Sequence, residues 1–341
     1  MTFRKAIVVA HRWVSLAAAL FWIVQALTGI FAVFHWEIDD ATVSGAHRPT
    51  DFSAMERSLR GRQINSIWTS AGSRDRYDVN LPNGVLRIDG VGNVLRTRRD
   101  GERFADGGFA DTLIMIHHEL LAGERGKVIV GVSGILLFTN LVIGIVAAWP
   151  RVGQWGRALR PSRTGSRIAL LYSWHRAFGL WLAIPALCVV AAGVLLAFED
   201  RTQRILNASA VETPSEAASE TRHVGMAGAV RSALERYPGS AVSGIRFPSS
   251  GNAVWTITLK QPEEWRRAYG RTRVFVSAVD GRVISDFNVL SAPLGTRVFH
   301  SLFAFHTGEM AGPIGRIATT LVGVWLVAMI VLGVSLWWAR R

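Results

Sequence analysis

The feature that most constrains this chain is a set of four long segments without any Asp, Glu, Lys or Arg. Each is 22 to 24 residues long, and at about 1.5 Å per residue such a helix spans roughly 33–36 Å. That length crosses a hydrocarbon core of about 30 Å. Half of the 341 residues are apolar and 13 are Trp, which favours membrane–water interfaces. The sequence therefore predicts four transmembrane helices, at Trp13–Trp36, Val128–Pro150, Ala177–Phe198 and Ile317–Ala339.

Basic residues are concentrated in the parts of the chain that this topology places on one side. The amino-terminal stub, the link between the second and third segments and the carboxyl end hold 11 basic and no acidic residues, whereas the rest holds 27 basic and 25 acidic ones. The positive-inside rule makes both termini and this link cytoplasmic, so the basic excess implies no nucleic-acid partner. These basic residues are Arg4, Lys5, Arg12, Arg151, Arg157, Arg160, Arg163, Arg167, Arg176, Arg340 and Arg341.

Two further features limit the possible classes. The first apolar segment is longer than a signal-peptide core, and no small-residue cleavage site follows Phe34-His35-Trp36, so we expect a retained helix. Cys188 is the only cysteine, which excludes an intrachain disulfide and a cysteine metal cluster.

The two halves of the sequence repeat. His11 opens the first apolar segment and His175 the third, and a glycine follows each of them 18 residues later. The second and fourth segments match from His117 and His306 onward, which predicts parallel repeats about a pseudo-twofold axis along the membrane normal. The matched positions are Gly123, Gly126, Lys127, Gly134, Gly144 and Trp149 in one half, and Gly312, Gly315, Arg316, Gly323, Gly333 and Trp338 in the other.

The soluble segments have helix and strand patterns that predict an α+β fold. In the second segment a helix at 224–237 precedes strands at 253–259 and 274–279, and an Asp280-Gly281 hairpin turn leads into a strand at 282–285. The first segment has a shorter version, and residues 207–220 indicate a linker. The elements of the shorter version are a helix at 53–59, a strand at 77–81, a turn at 82–84 and a strand at 85–88.

Four of the nine histidines occupy repeat-equivalent positions. His11 and His175 lie at the cytoplasmic ends, and His117 and His306 lie on the periplasmic side. A near-twofold axis brings equivalent residues face to face, and two opposed imidazoles form the axial pair of a b-type haem. As one alternative, these histidines are simply polar residues at the level of the lipid headgroups. As another, they bind zinc or copper, although two histidines alone make a poor zinc site. The histidines without repeat equivalents are His35, His47, His118, His223 and His300.

Two details of this hypothesis are open to test. Arg12 and Arg176 directly follow their histidines and suit haem propionates, or they simply obey the positive-inside rule. His117 and His306 lie ten residues before the charges that begin their apolar runs, so straight helices would put the two haem levels some 50 Å apart. Breaks at Gly123–Gly126 and Gly312–Gly315 are expected to fold these segments back, and His118 or His300 could replace a periplasmic ligand.

In four stretches the chain resembles the PepSY-associated transmembrane family. The stretches are His11–Leu16, His117–Lys127, Trp174–Trp181 and Phe305–Arg316, and the resemblance covers almost the whole chain. The helix at 224–237 and the strands after it look like a PepSY module. The better understood members are bacterial inner-membrane proteins, and some are dihaem reductases that release iron from ferric siderophores. The resemblance implies a haem role for the four equivalent histidines.

The expected fold is a mainly α membrane protein, with four transmembrane helices in two tandem repeats and small α+β PepSY-like periplasmic segments. The expected divisions are a first transmembrane segment at 1–36, a weakly PepSY-like periplasmic segment at 37–112, a His-bearing segment with the second transmembrane helix at 113–150, a cytoplasmic loop at 151–170, the third transmembrane helix at 171–198, a PepSY-like periplasmic module at 199–298, and a His-bearing segment with the fourth transmembrane helix at 299–341.

The expected function is transmembrane electron transfer by two haem b groups held by His11 with His175 and by His117 with His306. The donor would be quinol or a cytoplasmic reductase, and the acceptor a ferric siderophore. The sequence has no Gly-x-Gly-x-x-Gly after a strand, so the electron donor is expected to be a separate molecule. The alternative is a non-enzymatic membrane protein whose PepSY-like module binds or inhibits a periplasmic peptidase or senses the state of the envelope.

Overall fold

A computed structural model describes residues 3–45, 47–70, 74–105, 108–217 and 223–341. These residues form two compact units. The helical unit comprises the chain up to Val33, Leu113–Thr202 and Leu302–Arg341, and the sheet unit comprises Phe34–Thr112 and Gln203–Ser301. The sheet unit is thus built from the two segments that the sequence predicts to be soluble.

The helices and strands are as follows. The helices are α1 Phe3–Val33, α2 His35–Ala41, α3 Phe52–Ser58, α4 Gly108–Glu119, α5 Gly123–Ala148, α6 Trp155–Ala158, α7 Arg167–Trp181, α8 Ala183–Ala197, α9 Glu199–Ile205, α10 Met226–Arg236, α11 Leu294–His306 and α12 Gly312–Trp338, with a 3₁₀ turn at Glu309–Ala311. The strands are β1 Ser66–Thr69, β2 Arg76–Leu81, β3 Gly84–Asp89, β4 Val94–Arg99, β5 Ala241–Arg246, β6 Val254–Lys260, β7 Thr272–Ser277 and β8 Val283–Phe287.

Within the described parts of the chain, three helices, α1, α5 and α12, are long and apolar enough to cross a membrane. The apolar run predicted as one helix at 171–198 is instead the pair α7 and α8, bent by 62° at Leu182, and the described residues contain up to four spans if this pair is one of them. Pro185 explains the bend. It has no N–H to donate to the carbonyl of Trp181, and its ring collides with that carbonyl in a straight helix.

The long helices form a bundle in which each has neighbours from both halves of the chain. Helix α1 packs against α12 and α5, α5 packs against α8, and α12 packs against α7. A small apolar centre around Ala186, Val322 and Trp325 joins α8 to α12. The Trp325 indole N–H donates to the carbonyl of Phe178 at 2.7 Å. Carbonyls in the last turn of a helix lack intrahelical partners, so this bond stabilises the end of α7.

The helical structure is interrupted before α5 and before α12, next to the predicted glycines. Leu120 and Leu121 adopt left-handed backbone angles, with φ of 53° and 59°, directly ahead of Gly123. Gly308 is also left-handed, at φ 78°, and the 3₁₀ turn follows it. Left-handed angles are unusual for leucine and common for glycine. The breaks separate the His-bearing helices α4 and α11 from α5 and α12.

All eight strands form one antiparallel sheet in the order β4-β3-β2-β1-β5-β6-β7-β8. Strands β1 and β5 pair through Ile67 and Ile245, so the two soluble segments share a single sheet. Helices α3 and α10 cover one face of it, where Met55, Ala229 and Ile257 are completely buried. The alternation of apolar and polar residues along the strands produces this one-sided core.

The predicted soluble elements agree with the described ones within a few residues. The helices at 224–237 and 53–59 correspond to α10 and α3, and the strands at 77–81, 85–88, 253–259 and 274–279 correspond to β2, β3, β6 and β7. The predicted strand at 282–285 corresponds to β8, whereas helices α2 and α9 and strands β1, β4 and β5 have no predicted counterpart. Of the predicted linker, residues 207–217 lack regular structure, and the remainder lies outside the described residues.

Candidate functional site

The first pair of repeat-equivalent histidines faces across the bundle. His11 lies on α1 and His175 lies on α7, and their imidazole centres are 6.3 Å apart with an angle of 60° between the ring planes. The two residues are 164 positions apart in the sequence, so the bundle, rather than local geometry, brings them together.

The second pair is formed by residues near the ends of the two short helices that precede the breaks. His117 lies on α4 and His306 lies on α11, with imidazole centres 6.2 Å apart and ring planes at 33°. The structure therefore brings together both of the pairs that repeat equivalence predicts.

Three of the four imidazoles are held by a backbone carbonyl. The Nδ1 atoms of His11, His117 and His306 lie 3.1, 3.0 and 2.9 Å from the carbonyl oxygens of Asn140, Gln25 and Val189. A carbonyl can only accept, so Nδ1 carries the proton and Nε2 keeps its lone pair. Imidazole ligands of metals usually have this arrangement.

His175 is the exception among the four. Its Nδ1 is buried and makes no hydrogen bond of normal geometry with the described residues, and the backbone carbonyl of Met329 acts on it only as a weak acceptor. By sequence offset, the carbonyl that corresponds to the other three acceptors is that of Met329. His175 is thus the least firmly oriented of the four imidazoles.

Each imidazole lies against a glycine in a neighbouring helix. An added Cβ would lie 2.8 Å from His117 at Gly29, 2.8 Å from His306 at Gly193, 3.0 Å from His11 at Gly144 and 3.3 Å from His175 at Gly333. A side chain at the first two positions would displace the ring. The glycine offsets of 18 and 27 residues are visible in the sequence, but there they indicate only a repeat and not the space for an imidazole.

The glycine and the carbonyl acceptor come from one helical turn. Gln25 precedes Gly29 by four residues, Val189 precedes Gly193 by four, and Asn140 precedes Gly144 by four. In a helix, residues four apart lie on the same face. One turn therefore supplies both the space for the ring and the acceptor that fixes its tautomer.

The two pairs lie at different levels of the bundle. His117 contacts Gly29, which follows His11 by 18 residues on the continuous helix α1. At 1.5 Å per residue the levels are separated by roughly 27 Å along that helix. The value of some 50 Å for straight helices does not hold, because the breaks turn the His-bearing helices back onto the bundle.

The distance between the paired rings suits one metal ion. An ion with an imidazole on each side, at metal–nitrogen bonds of about 2 Å, separates the ring centres by roughly 6 Å. No group of three or more His, Cys, Asp or Glu side chains converges among the described residues. Two protein ligands are sufficient where a porphyrin supplies the other four nitrogens.

The two arginines that follow the first histidines lie in different surroundings. The Arg12 guanidinium lies 5.6 Å from the centre of the Trp13 ring, on an exposed part of α1. Arg176 donates to the carbonyl of Ala148 at 3.1 Å, at the carboxyl end of α5. Their contacts do not share the symmetry of the histidines that precede them.

The other described histidines are not paired in this way. His118 is exposed, with its ring 5.9 Å from that of His117. His300 packs 5.7 Å from Phe287 inside the sheet unit, and its backbone carbonyl accepts from Arg267. His35 stacks on Trp36, and His47 Nδ1 lies 3.1 Å from the carbonyl of Arg74.

Membrane-length helices that enclose two opposed pairs of imidazoles define a multi-span membrane protein. The sequence matches the family model of the PepSY-associated TM region over residues 8–340, so the chain belongs to that family. A search of curated proteins found no match to the chain.

Proposed function

We propose that this chain is a b-type dihaem protein of the bacterial inner membrane that carries electrons to a periplasmic ferric siderophore. In this proposal four transmembrane helices form two tandem repeats, with α7 and α8 as one bent span. His11 and His175 hold one haem, and His117 and His306 hold the other. The observation that carries the proposal is the presence of two opposed imidazole pairs, with centres 6.3 and 6.2 Å apart, in a bundle of apolar helices.

The residues around each pair have distinct roles in the proposal. The backbone carbonyls of Gln25, Asn140 and Val189 fix the tautomer, which leaves the lone pair of Nε2 available to a metal. The glycines leave room for each ring, and the apolar helices exclude water. When bound, haem supplies reversible one-electron chemistry whose potential depends on its axial ligands and on burial.

The direction of transfer follows from the charge distribution. With the basic link and both termini in the cytoplasm, the His11 and His175 pair lies nearer the cytoplasmic donor, either quinol or a reductase. The His117 and His306 pair then lies nearer the periplasmic acceptor. Hard oxygen ligands hold ferrous iron less strongly than ferric iron, so reduction favours release of the metal.

The proposal is tested on the purified full chain by visible spectroscopy and a pyridine haemochrome assay. We expect two haems per chain, sharp α and β bands on reduction, and reoxidation of the reduced protein by a ferric siderophore under anaerobic conditions. The variants His47→Ala and His223→Ala should keep both haems, because both residues lie in the sheet unit. A folded protein without haem would contradict the proposal and favour the peptidase-binding alternative. Two haems that no ferric chelate reoxidises would contradict only the acceptor.

A further inference from the structure

The sheet unit contains a cavity of about 440 Å³ on the polar face of the sheet, opposite the face that α3 and α10 cover. Strand pairing aligns one row of side chains across the strands, and cross-strand partners lie on the same face. From β4 to β7, this row is Arg96, Arg87, Asp78, Trp68, Gly244, Thr258 and Arg273. The volume of the cavity is within the range of about 300–1,000 Å³ that is usual for small-molecule sites.

The arginines on one side of this cavity are already neutralised by carboxylates. Each lies in an ion pair with an aspartate of the same unit, so this side has little positive charge available to a ligand. The ion pairs are Arg87 with Asp39, Asp40 and Asp78, Arg96 with Asp39, and Arg98 with Asp111.

The other side of the cavity differs, because Arg273 there lacks a counter-charge. Arg273 on β7 is half-buried, and no carboxylate among the described residues lies within ion-pair distance of it. Burial, together with repulsion from Arg271 and Arg246, lowers the pKa of Arg273. A partly buried cation without a partner is unfavourable, and a bound anion would remove that penalty.

An aromatic wall adjoins this charge. Trp68 lies directly over Gly244, where an added Cβ would meet its ring at 2.5 Å. The Tyr269 ring packs edge-on, 5.4 Å from Trp68 and 5.9 Å from Trp36. Such surfaces accept planar rings by offset stacking or edge-to-face contact. Inorganic phosphate would use the charge but not this wall.

We propose that this cavity binds an anionic chelate with aromatic arms, of the catecholate class, with its charge at Arg273 and one ring against Trp68 and Tyr269. The assignment deepens the proposed function, because it names the class of acceptor. The contacts that carry it lie within the sheet unit and involve none of the paired histidines.

The test is direct binding of gallium(III) chelates to the full chain, followed by quenching of Trp fluorescence. Gallium(III) is not reduced under these conditions, so binding is measured apart from electron transfer. We expect a trianionic tris-catecholate complex to bind at least tenfold more tightly than an uncharged trihydroxamate complex of similar size. Equal affinity for the two complexes would overturn the proposal.

Variants locate the site. Arg273→Gln should weaken tris-catecholate binding about tenfold or more, and Arg273→Lys should restore part of it. Arg231→Gln should have no effect, since Arg231 is exposed on α10, on the other side of the sheet. If Arg273→Gln does not fold, Tyr269→Leu replaces it and should weaken the same complex. Unchanged affinity in a folded variant of either kind would overturn the proposal.

Binding by a chain that holds no haem would contradict only the proposed function, and haem without binding would contradict only this inference.

Discussion

The two histidine pairs have nearly the same ring separation but are built differently. His11 and His175 lie in the interiors of α1 and α7, and one of the two imidazoles has only a weak carbonyl contact to fix it. His117 and His306 lie on short helices that precede left-handed breaks, both imidazoles are anchored, and both glycine contacts are tighter. The pair that depends on a chain reversal is thus the more firmly oriented one. An imidazole next to a helix break needs local anchors that an imidazole in a helix interior does not.

The largest expected effect is the loss of one haem from either pair. His117→Ala or His306→Ala should remove the periplasmic haem, and His11→Ala or His175→Ala should remove the cytoplasmic one, because in the proposed function each pair holds a single iron. The haemochrome content should fall from two to about one per chain in each variant. Full haem content in His11→Ala and His175→Ala would refute the cytoplasmic site. Retention of both haems in His117→Ala would indicate that the neighbouring His118 takes over.

A smaller effect is expected from filling the glycine positions, and it should differ between the pairs. Gly29→Ala and Gly193→Ala bring a methyl to 2.8 Å from the imidazole, whereas Gly333→Ala brings it only to 3.3 Å. We expect the first two to lower occupancy of the periplasmic haem severalfold and Gly333→Ala to leave haem content nearly unchanged. Gly156→Ala is the control, since nothing lies within 4 Å of that position. Equal haem content in all four variants would remove the steric distinction between the pairs.

A moderate effect on stability is expected from His300, a largely buried histidine outside the two imidazole pairs. Burial, and then the positive charges of Arg271, Arg273 and Arg267, lower the pKa of His300 to about 4, below its usual value of about 6.5. Protonation therefore favours the unfolded state, so the stability of the sheet unit should decrease as the pH falls from about 6.5 to about 4, by on the order of 2 kcal/mol.

The His300 prediction is checked by melting curves of the wild type and of His300→Gln between pH 7.5 and 4. Titration of carboxylates affects both proteins alike, so the difference between them isolates His300. We expect the melting temperature of the wild type to fall further over this pH range than that of His300→Gln. Parallel curves would show that His300 is already protonated, or accessible to protons, in the folded state.

The smallest expected effect is spectroscopic. Axial imidazole planes at 60° and at 33° split the iron orbitals differently, so the two ferric haems should give distinct low-spin electron paramagnetic resonance signals. We assign the more anisotropic signal to the His11 and His175 pair, whose planes are closer to perpendicular. Loss of that signal in His175→Ala would confirm the assignment, and its survival there would reverse it.

The sequence predicts the paired histidines because two repeats related by a pseudo-twofold axis place equivalent residues opposite each other. The spacing from His11 to Gly29 is also visible as part of this repeat. The bend at Leu182 was not predicted, although Pro185 lies within the third apolar segment, because hydropathy alone does not distinguish a straight span from a bent one. Strand β1 is only four residues long and β4 carries three arginines, so neither has the alternating apolar pattern of a half-buried strand.

The cavity could not be predicted from local sequence. Its arginines come from β3, β4, β7 and the loop before β7, and only the strand register places Arg96, Arg87 and Arg273 in one row. The same holds for the glycine beneath Trp68, which reaches that ring across the pairing of β1 with β5. Such contacts depend on residues more than 150 positions apart, and no window of the sequence contains both partners.

The pairing of β1 with β5 also determines when the sheet can be completed during synthesis of the chain. Strand β1 ends at Thr69 and its partner begins at Ala241, so 171 residues separate the two edges. At a synthesis rate of about 5–20 residues per second, β1 waits roughly 10–30 s for its neighbour after it is made. During that interval the four strands β1–β4 have an open edge, the kind of surface that recruits other chains. Whatever shields this edge in the cell acts on an unfinished polypeptide, and a ribosome that stalls between the two segments would prolong the exposure.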